Sequence, residues 1–436
     1  MDYSEWLLTG IYATPFVLIW VWYMRRVSRK EKLAVRTLEE STKAGLTEPA
    51  SLHPVIDPNR CIGSGSCVTA CPEGNVLGMI GGKAVLVDPT RCIGHGACRL
   101  SCPRDAITLV FGTEKRGVDI PHVSPDFQTN VPGIYIAGEL GGMGLVRNAV
   151  NQGGQAMDSI AKLSGLGKKD RLDVVIIGAG PAGLAAALGA IEKGIRYEML
   201  EQDSFGGTVA NFPRGKMVMT QPVKMPIVGK MRFTEVSKEE LMGYWNKIVA
   251  DHNVHMRTGV RVDDIEKDGD GFVVKTTDGE FRTRAVLLAI GRRGTPRKLG
   301  VPGEQLAKVV YKLVDPEQYR GKHVLVVGGG DSALEAATSI AAEPDTTVSL
   351  SYRSDAFSRA KGKNRQKVEE AQAAGKLQVL LSSNVKAIFP DKVELEQNGK
   401  AITLDNDAVI VSAGGILPTG FLKKIGIIVE TKHGTE

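Results

Sequence analysis

No cysteine of this chain lies outside residues 61 to 102. With all six cysteines in one short window of 436 residues, a disulfide framework spread over the chain is excluded, and the window reads as one local metal or cluster module. The long remainder also lacks a cysteine pair, so electrons moving there cannot end on an enzyme dithiol. The 51 glycines form no low-complexity tract, which assigns them to turns. No basic stripe interleaved with aromatics is present either. Part of the net charge of +6 is one cluster, Arg25, Arg26, Arg29, Lys30 and Lys32, and no nucleic-acid surface is read from it.

Charge is missing from one further stretch. Trp6 to Met24 is an uncharged run of 19 residues, close to the ~20 that cross a bilayer core. Trp6, Trp20, Trp22 and Tyr23 lie toward its ends, as interfacial aromatics do. Asp2 and Glu5 precede it and RRVSRKEK follows, the reverse of a secretory signal. The expectation is one transmembrane helix, residues 1–26, with the N-terminus outside and everything after it in the cytoplasm, at the inner membrane. Residues 27–54 are expected to be a charged, partly helical linker.

What is present begins with a duplication. DPNRCIGSGSCVTACP at 57–72 reappears as DPTRCIGHGACRLSCP at 88–103, identical at ten of sixteen positions. Each half resembles the bacterial ferredoxin run C-x2-C-x2-C-x3-C-P, whose fourth cysteine serves the other half's cluster. That resemblance implies one iron–sulfur cluster on Cys61, Cys67 and Cys102 and another on Cys92, Cys98 and Cys71, each [4Fe-4S] or [3Fe-4S]. The second cysteine of each run is replaced, by Ser64 and by His95, and both stand as either ligand or bystander. Zinc fits badly, because C-x5-C-x3-C lacks the short paired spacing of structural zinc sites.

Residues 172 to 201 organise the rest. A buried-type run, Val174 to Ile177, enters a turn with Gly178, Gly180 and Gly183; an alanine-rich helix, a second strand and Glu201 follow. The first glycine turns the chain, the second lets backbone approach a pyrophosphate, the third packs helix on strand, and the acid accepts ribose hydroxyls. This reads as the adenine end of an FAD site. Lys322 to Ala337, KHVLVVGGGDSALEAA, repeats the pattern with Gly328 and Gly330. No acid closes its next strand; Arg353 stands there instead, which suits the 2′-phosphate of NADPH.

Residues 129 to 139, TNVPGIYIAGE, resemble the closing segment of thioredoxin-reductase-type flavoproteins, which there lies near the C-terminus. Its position ahead of the glycine turn implies a circular permutation, and Glu139 replaces that family's aspartate. The G-G-G-D-S-A string at 328–333 resembles the NADPH domain of the same reductases. The lack of a C-x-x-C and the stretch Gly206 to Lys216 bring the likeness closest to the bacillithiol-disulfide-reductase-like branch. The resemblance implies flavin contacts at Gly138, Glu139, Gln152, Gly207 and Thr208, with Glu139 and Gln152 tuning the flavin. It implies NADPH contacts at Gly328, Gly330, Asp331, Ser332 and Arg353, with Arg359 in reserve.

The expected architecture is therefore α/β: two Rossmann-like dinucleotide-binding domains, for FAD and NADPH, preceded by an α+β dicluster ferredoxin domain at 55–112 and one transmembrane helix. FAD binding is expected at 117–290 with its closing segment 117–165 first, NADPH binding at 291–413, and a return to the FAD domain at 414–436. The expected activity moves electrons between NADPH, FAD and the two clusters, toward an unidentified acceptor or from an unidentified donor. Alternatives are an NADPH-dependent disulfide or small-molecule reductase with auxiliary clusters, or a redox sensor. A homodimer is left open, and no nucleic-acid partner is expected. Lys216, Lys224, Lys230 and Arg232, in an acid-free stretch with four methionines at 204–234, suggest a basic surface for an anionic acceptor or a lipid leaflet, or else an ordinary solvated loop.

Overall fold

Between Phe16 and Ala44 the sequence holds no glycine and no proline, and a single 41-residue helix, Tyr3–Lys43, runs through that stretch. The computed structural model describes residues 3–43, 49, 52–92, 94, 96–114, 117–142, 144–220, 222–292, 294–358 and 360–434, with side chains in this helix described from Tyr12 onward. Among the described residues no helix is long and apolar enough to cross a membrane. The anchor expected at residues 1–26 finds no support in these residues; the side chains of residues 1–11, Trp6 among them, lie outside the described ones. In the stretch expected to be a partly helical linker, residues 27–43 continue the same helix. Its second half docks on the cysteine module. Ala34 is buried, a Cβ on Gly78 would lie 2.5 Å from the Ala34 Cβ, and the Gly81 N–H donates to the Glu31 carboxylate at 2.7 Å.

The chain divides into two compact units, residues 1–113 with 434–436, and residues 114–433. In the first, His53–Ile56 pairs antiparallel with Ile107–Val110, and Leu77–Ile80 forms a hairpin with Lys83–Leu86. The duplication is visible in the backbone. Each cysteine loop ends at a left-handed glycine, Gly65 (φ 68°) or Gly96 (φ 72°), that starts a short helix, Ser66–Ala70 or Ala97–Leu100. Cys67, Cys92 and Cys98 are buried with Val76, Leu77, Ala84 and Ile107, so the thiols belong to this small core.

In the second unit, the β-branched run ending at Ile177 is the centre of a seven-stranded sheet and is buried on both faces, as parallel strands are. The strand Leu172–Ile177 lies parallel to Tyr197–Glu201 on one side and to the end of Gly279–Leu288 on the other. Ile134–Ile136, which comes before the glycine turn in the chain, pairs parallel with the far side of that last strand, Ile136 opposite Leu288. The helix Val146–Ile160 then returns across Pro181–Glu192. Their approach is set by small residues: a Cβ on Gly153 would lie 2.1 Å from the Ala182 carbonyl oxygen.

A five-stranded parallel sheet forms the nucleotide half, with Val324–Val327 of the strand His323–Val327 beside Ala408–Val411 and the full strand beside Thr347–Ser351. The helix Asp331–Ala341 follows its glycine turn, and an antiparallel three-stranded sheet spans residues 383–405. Thr295–Pro296 and Gly415–Ile416 pair where the chain crosses between the halves. The C-terminal strand Val429–Lys432 pairs with Val118–Pro121, and Leu422, Ile425 and Ile427 join the core of Ile134, Ile136 and Val175.

The helix contact makes a paired prediction. Gly153→Ala forces apart two packed backbones and is expected to cost about 1 to 3 kcal/mol, read as a lowered thermal midpoint. Gly154→Ala meets only Pro226 Cγ at 3.6 Å and replaces a helix-interior glycine, so it should be neutral or stabilising by up to ~1 kcal/mol. Equal midpoints for the two variants would show that the glycine contact does not set the packing.

Candidate functional site

Three groups of residues carry chemistry, and each is positioned by a glycine loop. The first lies at the carboxyl ends of three neighbouring parallel strands, where doubly wound sheets bind ligands. Gly178 (φ 104°) turns the chain within reach of the Ala289 carbonyl, which a Cβ would meet at 2.5 Å. At Gly183 a Cβ would lie 1.9 Å from the Gly178 carbonyl oxygen, so the helix starts directly on the turn. Pro181 occupies the first helical turn, and Gly194 (φ 64°) follows the helix end at Lys193. Glu201 is buried; its carboxylate accepts the Ala179 N–H at 2.8 Å and the Asp203 N–H at 2.9 Å, bracing the turn.

The segment that precedes the glycine turn in the chain completes this mouth. Gly138 (φ 84°) follows the strand Ile134–Ile136, its N–H donates to the Gln152 side-chain oxygen at 2.8 Å, and a Cβ there would lie 3.1 Å from the Ala182 Cβ. Glu139 opens a short 3-10 turn, Glu139–Gly141. From the opposite side Gly207 (φ 56°) approaches Gly180, whose Cα a Cβ would meet at 3.1 Å, and Thr208 is half-buried one residue on. Gly138, Gly180 and Gly207 thus line a cradle of bare backbone at a helix N-terminus. That arrangement fits the phosphates and ribityl chain of FAD: it offers N–H donors and the space that side chains would fill.

One residue of this mouth escaped the sequence reading. Arg292, four positions after Leu288, is half-buried and donates to the Asp119 carbonyl at 2.8 Å. Burial lowers its pKa, while the charges of Glu139 and Asp119 pull the other way. The signal was the string LLAIGRRG at 287–294, whose turn could be recognised but not the direction of its guanidinium.

In the nucleotide half, Gly328 (φ 146°) passes the Ser412 carbonyl, which a Cβ would meet at 2.4 Å, and Gly330 precedes the helix Asp331–Ala341. Asp331 accepts the Lys361 N–H and the Asn364 amide, both at 2.8 Å, which joins the helix start to the next helix. Ser332 is exposed. Tyr352 stacks on Phe357 with ring centroids 5.6 Å apart, and its ring covers Gly329 so closely that a Cβ would lie 2.4 Å away. Arg353 projects beyond the strand Thr347–Ser351, exposed and without a partner among the described residues. Arg359 lies outside the described residues. The cradle again suits a dinucleotide, with an uncommitted cation beside it.

The thiols fall into two groups. Burial raises the pKa of Cys67, and its thiol neighbours are Cys61 and Cys102. Cys92 is pushed up to about 11 by burial, with Cys98 and Cys71 beside it; burial also raises Cys98, whose nearer thiol is Cys71. Cys61 differs: the Ala84 N–H directed at its sulfur lowers its pKa against burial, helped by the Gly63 N–H and Lys83. Ala106 donates its N–H to the Cys102 sulfur at 3.3 Å. Ser64 lines one pocket with Cys61, Cys67 and Cys102. His95 lies outside the described residues. Among the described residues no three His, Cys, Asp or Glu side chains converge on a single metal ion. A cuboidal cluster bonds each thiolate to a different iron, so its sulfurs need not converge.

The basic stretch is narrower than expected. Lys216 pairs with Glu335 of the nucleotide half and lies over the Phe212 ring, so it does not belong to a free surface. Lys224 and Lys230 face each other across the hairpin of Val223–Met225 and Gly229–Met231, exposed, with Met225 and Met231 buried beneath. Like charges directly opposite are unfavourable unless an anion is shared.

Two outcomes are expected. Arg353→Ala should weaken NADPH about tenfold, as a charge-assisted phosphate contact of roughly 1.5 to 3 kcal/mol implies, and leave NADH within twofold; equal loss for both would make the arginine structural. In an EPR-monitored redox titration, the cluster on Cys61, Cys67 and Cys102 should reduce first, because N–H donors and Lys83 stabilise the added electron. Cys61→Ser and Cys92→Ser identify the two signals, and the reverse order would contradict the assignment.

Known proteins resemble this chain over two stretches. A family model described as pyridine nucleotide-disulphide oxidoreductase matches residues 175–435, and a 4Fe-4S dicluster domain model matches residues 53–103. The ferredoxin–NADP reductase of Thermus thermophilus is 30% identical over 272 residues, 60% of this chain and 78% of that one. The bacilliredoxin reductase of Bacillus subtilis is 27% identical over 266 residues, 60% of this chain and 82% of that one. The bacillithiol disulfide reductase structure from Staphylococcus aureus matches with a TM-score of 0.53 at 25% identity, covering 59% of this chain and 80% of that one. The matched family model takes in both glycine turns and leaves the cysteine module to the second model, so the chain belongs to the pyridine nucleotide-disulphide oxidoreductases, as an FAD-dependent NAD(P)H oxidoreductase that also carries a 4Fe-4S dicluster domain.

Proposed function

We propose that this enzyme passes electrons between NADPH, FAD and two iron–sulfur clusters within one chain. The observation that carries the reading is the pairing of a dicluster module with a flavin–nucleotide module that has no cysteine of its own beyond Cys102. Hydride transfer moves two electrons and a cluster takes one; FAD, when bound, supplies the exchange between the two, and the protein positions it. Gly178, Gly180 and Gly207 would hold its phosphates, with Gly183 packing the helix onto the turn, Glu201 would turn from bracing the loop to accepting ribose hydroxyls, and Glu139, Gln152 and Arg292 would border the ring side. Gly328, Gly330 and Ser332 receive the NADPH phosphates, Asp331 keeps the helix start in place, and Arg353 selects the 2′-phosphate. All six thiols are free, as a cluster protein of a reducing compartment requires, and we place the chemistry in the cytoplasm. The acceptor or donor is a separate partner, and the Lys224–Lys230 hairpin offers it a positive surface.

The likeness to bacillithiol disulfide reductase favours a second reading, in which flavin reduces a small disulfide directly and the clusters store electrons. Anaerobic turnover separates the two. NADPH should bleach both flavin and cluster absorption and drive steady reduction of cytochrome c. Cys61→Ser and Cys92→Ser should keep the flavin bleaching and lose at least tenfold in cytochrome c reduction. Unchanged reduction in both variants, or turnover only with a low-molecular-weight disulfide, would reject the first reading.

A further inference from the structure

We propose that the cluster bound by Cys61, Cys67 and Cys102 has its fourth corner at the hydroxyl of Ser64, and that this corner is the one through which a single iron exchanges with solvent. The inference deepens the dicluster assignment and does not depend on how NADPH electrons reach the module. Six thiolates must serve eight corners, and Ser64 occupies the place of a missing one. The structure adds three observations about it.

Ser64 lines the same pocket as the three thiols, together with Gly65, Ser66, Pro103 and Ala106. Its backbone is held there: Gly63 (φ 76°) and Gly65 (φ 68°) flank it in left-handed conformation, and a Cβ on Gly63 would lie 2.3 Å from the Gly82 carbonyl oxygen. The direction of its proton also follows from the contacts. Ser66 donates its only hydroxyl proton to the Ser101 carbonyl at 2.8 Å, so in the 3.0 Å contact between the two serines Ser64 is the donor and Ser66 the acceptor. The Ser64 proton is drawn toward the helix Ser66–Ala70, which leaves the oxygen lone pairs unused among the described residues.

Exposure distinguishes this corner from the others. Cys67 is buried and Cys61 and Cys102 are half-buried, whereas Ser64 is exposed. An oxygen donor binds iron less strongly than a thiolate in such a site, so the iron at the exposed oxygen leaves first and returns first. The exchange balances as follows. A three-iron core of charge 1+ takes one electron from dithionite and one Fe2+ to become a four-iron core of charge 2+, while Ser64 gives its proton to water and ligates the incoming iron. Oxidation by one electron and loss of that Fe2+ to a chelator reverses it, and the serine recovers a proton.

The competing role is a loop brace, in which Ser64 only hydrogen-bonds Ser66. Anaerobically purified full-length protein, cycled between ferricyanide with EDTA and dithionite with Fe2+ and followed by EPR and iron counting, separates the two. The wild type should show a three-iron signal after oxidation that disappears on reduction with Fe2+. Ser64→Ala should need at least tenfold more Fe2+ to lose that signal, and Ser64→Cys should yield at least tenfold less of it on oxidation. The signal of the other cluster reports that each variant is folded. Wild-type iron uptake by Ser64→Ala, or an oxidised three-iron yield in Ser64→Cys equal to wild type, would overturn the proposal.

Discussion

The contact between Gly153 and the Ala182 carbonyl decides whether there is a flavin site at all. The helix that carries Gly153 also carries Gln152, and Gln152 fixes Gly138 and hence the start of the turn that bears Glu139. Were the two helices separated by one methyl group on each face, the closing segment would stand away from the glycine turn it completes. Backbone-to-backbone approach of this kind is costly in conformational entropy, because glycine loses more freedom on folding than any other residue. The chain tolerates it here and repeats it at Gly178 and Gly183, where strand, turn and helix must meet without side chains between them.

Charge contributes direction more than strength. Lys312 links the nucleotide half to Asn211 at 2.9 Å and Asp203 at 3.2 Å, Arg214 pairs with Asp315 at 3.4 Å, and Lys216 reaches Glu335. Exposed pairs of this type contribute about 0 to 1 kcal/mol each, too little to hold two domains together. They converge, however, on residues 203–216, the segment that leaves the flavin mouth at Gly207. Orientation between the halves is thereby tied to the same few residues that line the cofactor cradle.

Much of the site was legible because its motifs are local. The glycines of both turns lie next to the helix starts they serve, Glu201 closes the same strand–helix–strand unit as Ala179, and the cysteine loops recur at a fixed offset, so spacing encodes all three. Long-range relations were not legible. Nothing near Lys216 announces Glu335, 119 positions away, and nothing near Asp331 shows that its carboxylate serves the start of another helix. Arg292 could be placed on a turn but not aimed. How far the N-terminal helix runs was hidden for a different reason: hydropathy marks where charge begins, whereas a helix ends where a glycine, a proline or a cap ends it, and neither glycine nor proline intervenes between Met24 and Lys43. The duplicated loops were readable as a repeat, while the difference in burial between Cys61 and Cys92 came from what packs around each copy.

The pairing of Val118–Pro121 with Val429–Lys432 has a consequence for how such a protein is put together. The oxidoreductase unit begins and finishes on one antiparallel ribbon, so its two ends are neighbours in space. A module zipped shut in this way is indifferent to where the gene starts and stops: its interior keeps the same contacts if the opening is moved elsewhere along the loop. The strand Ile134–Ile136 can therefore precede the glycine turn in the chain and still lie beside Leu288 in the sheet. Along the polypeptide that strand falls between the cysteine repeat and the first glycine turn, the neighbour in sequence of both.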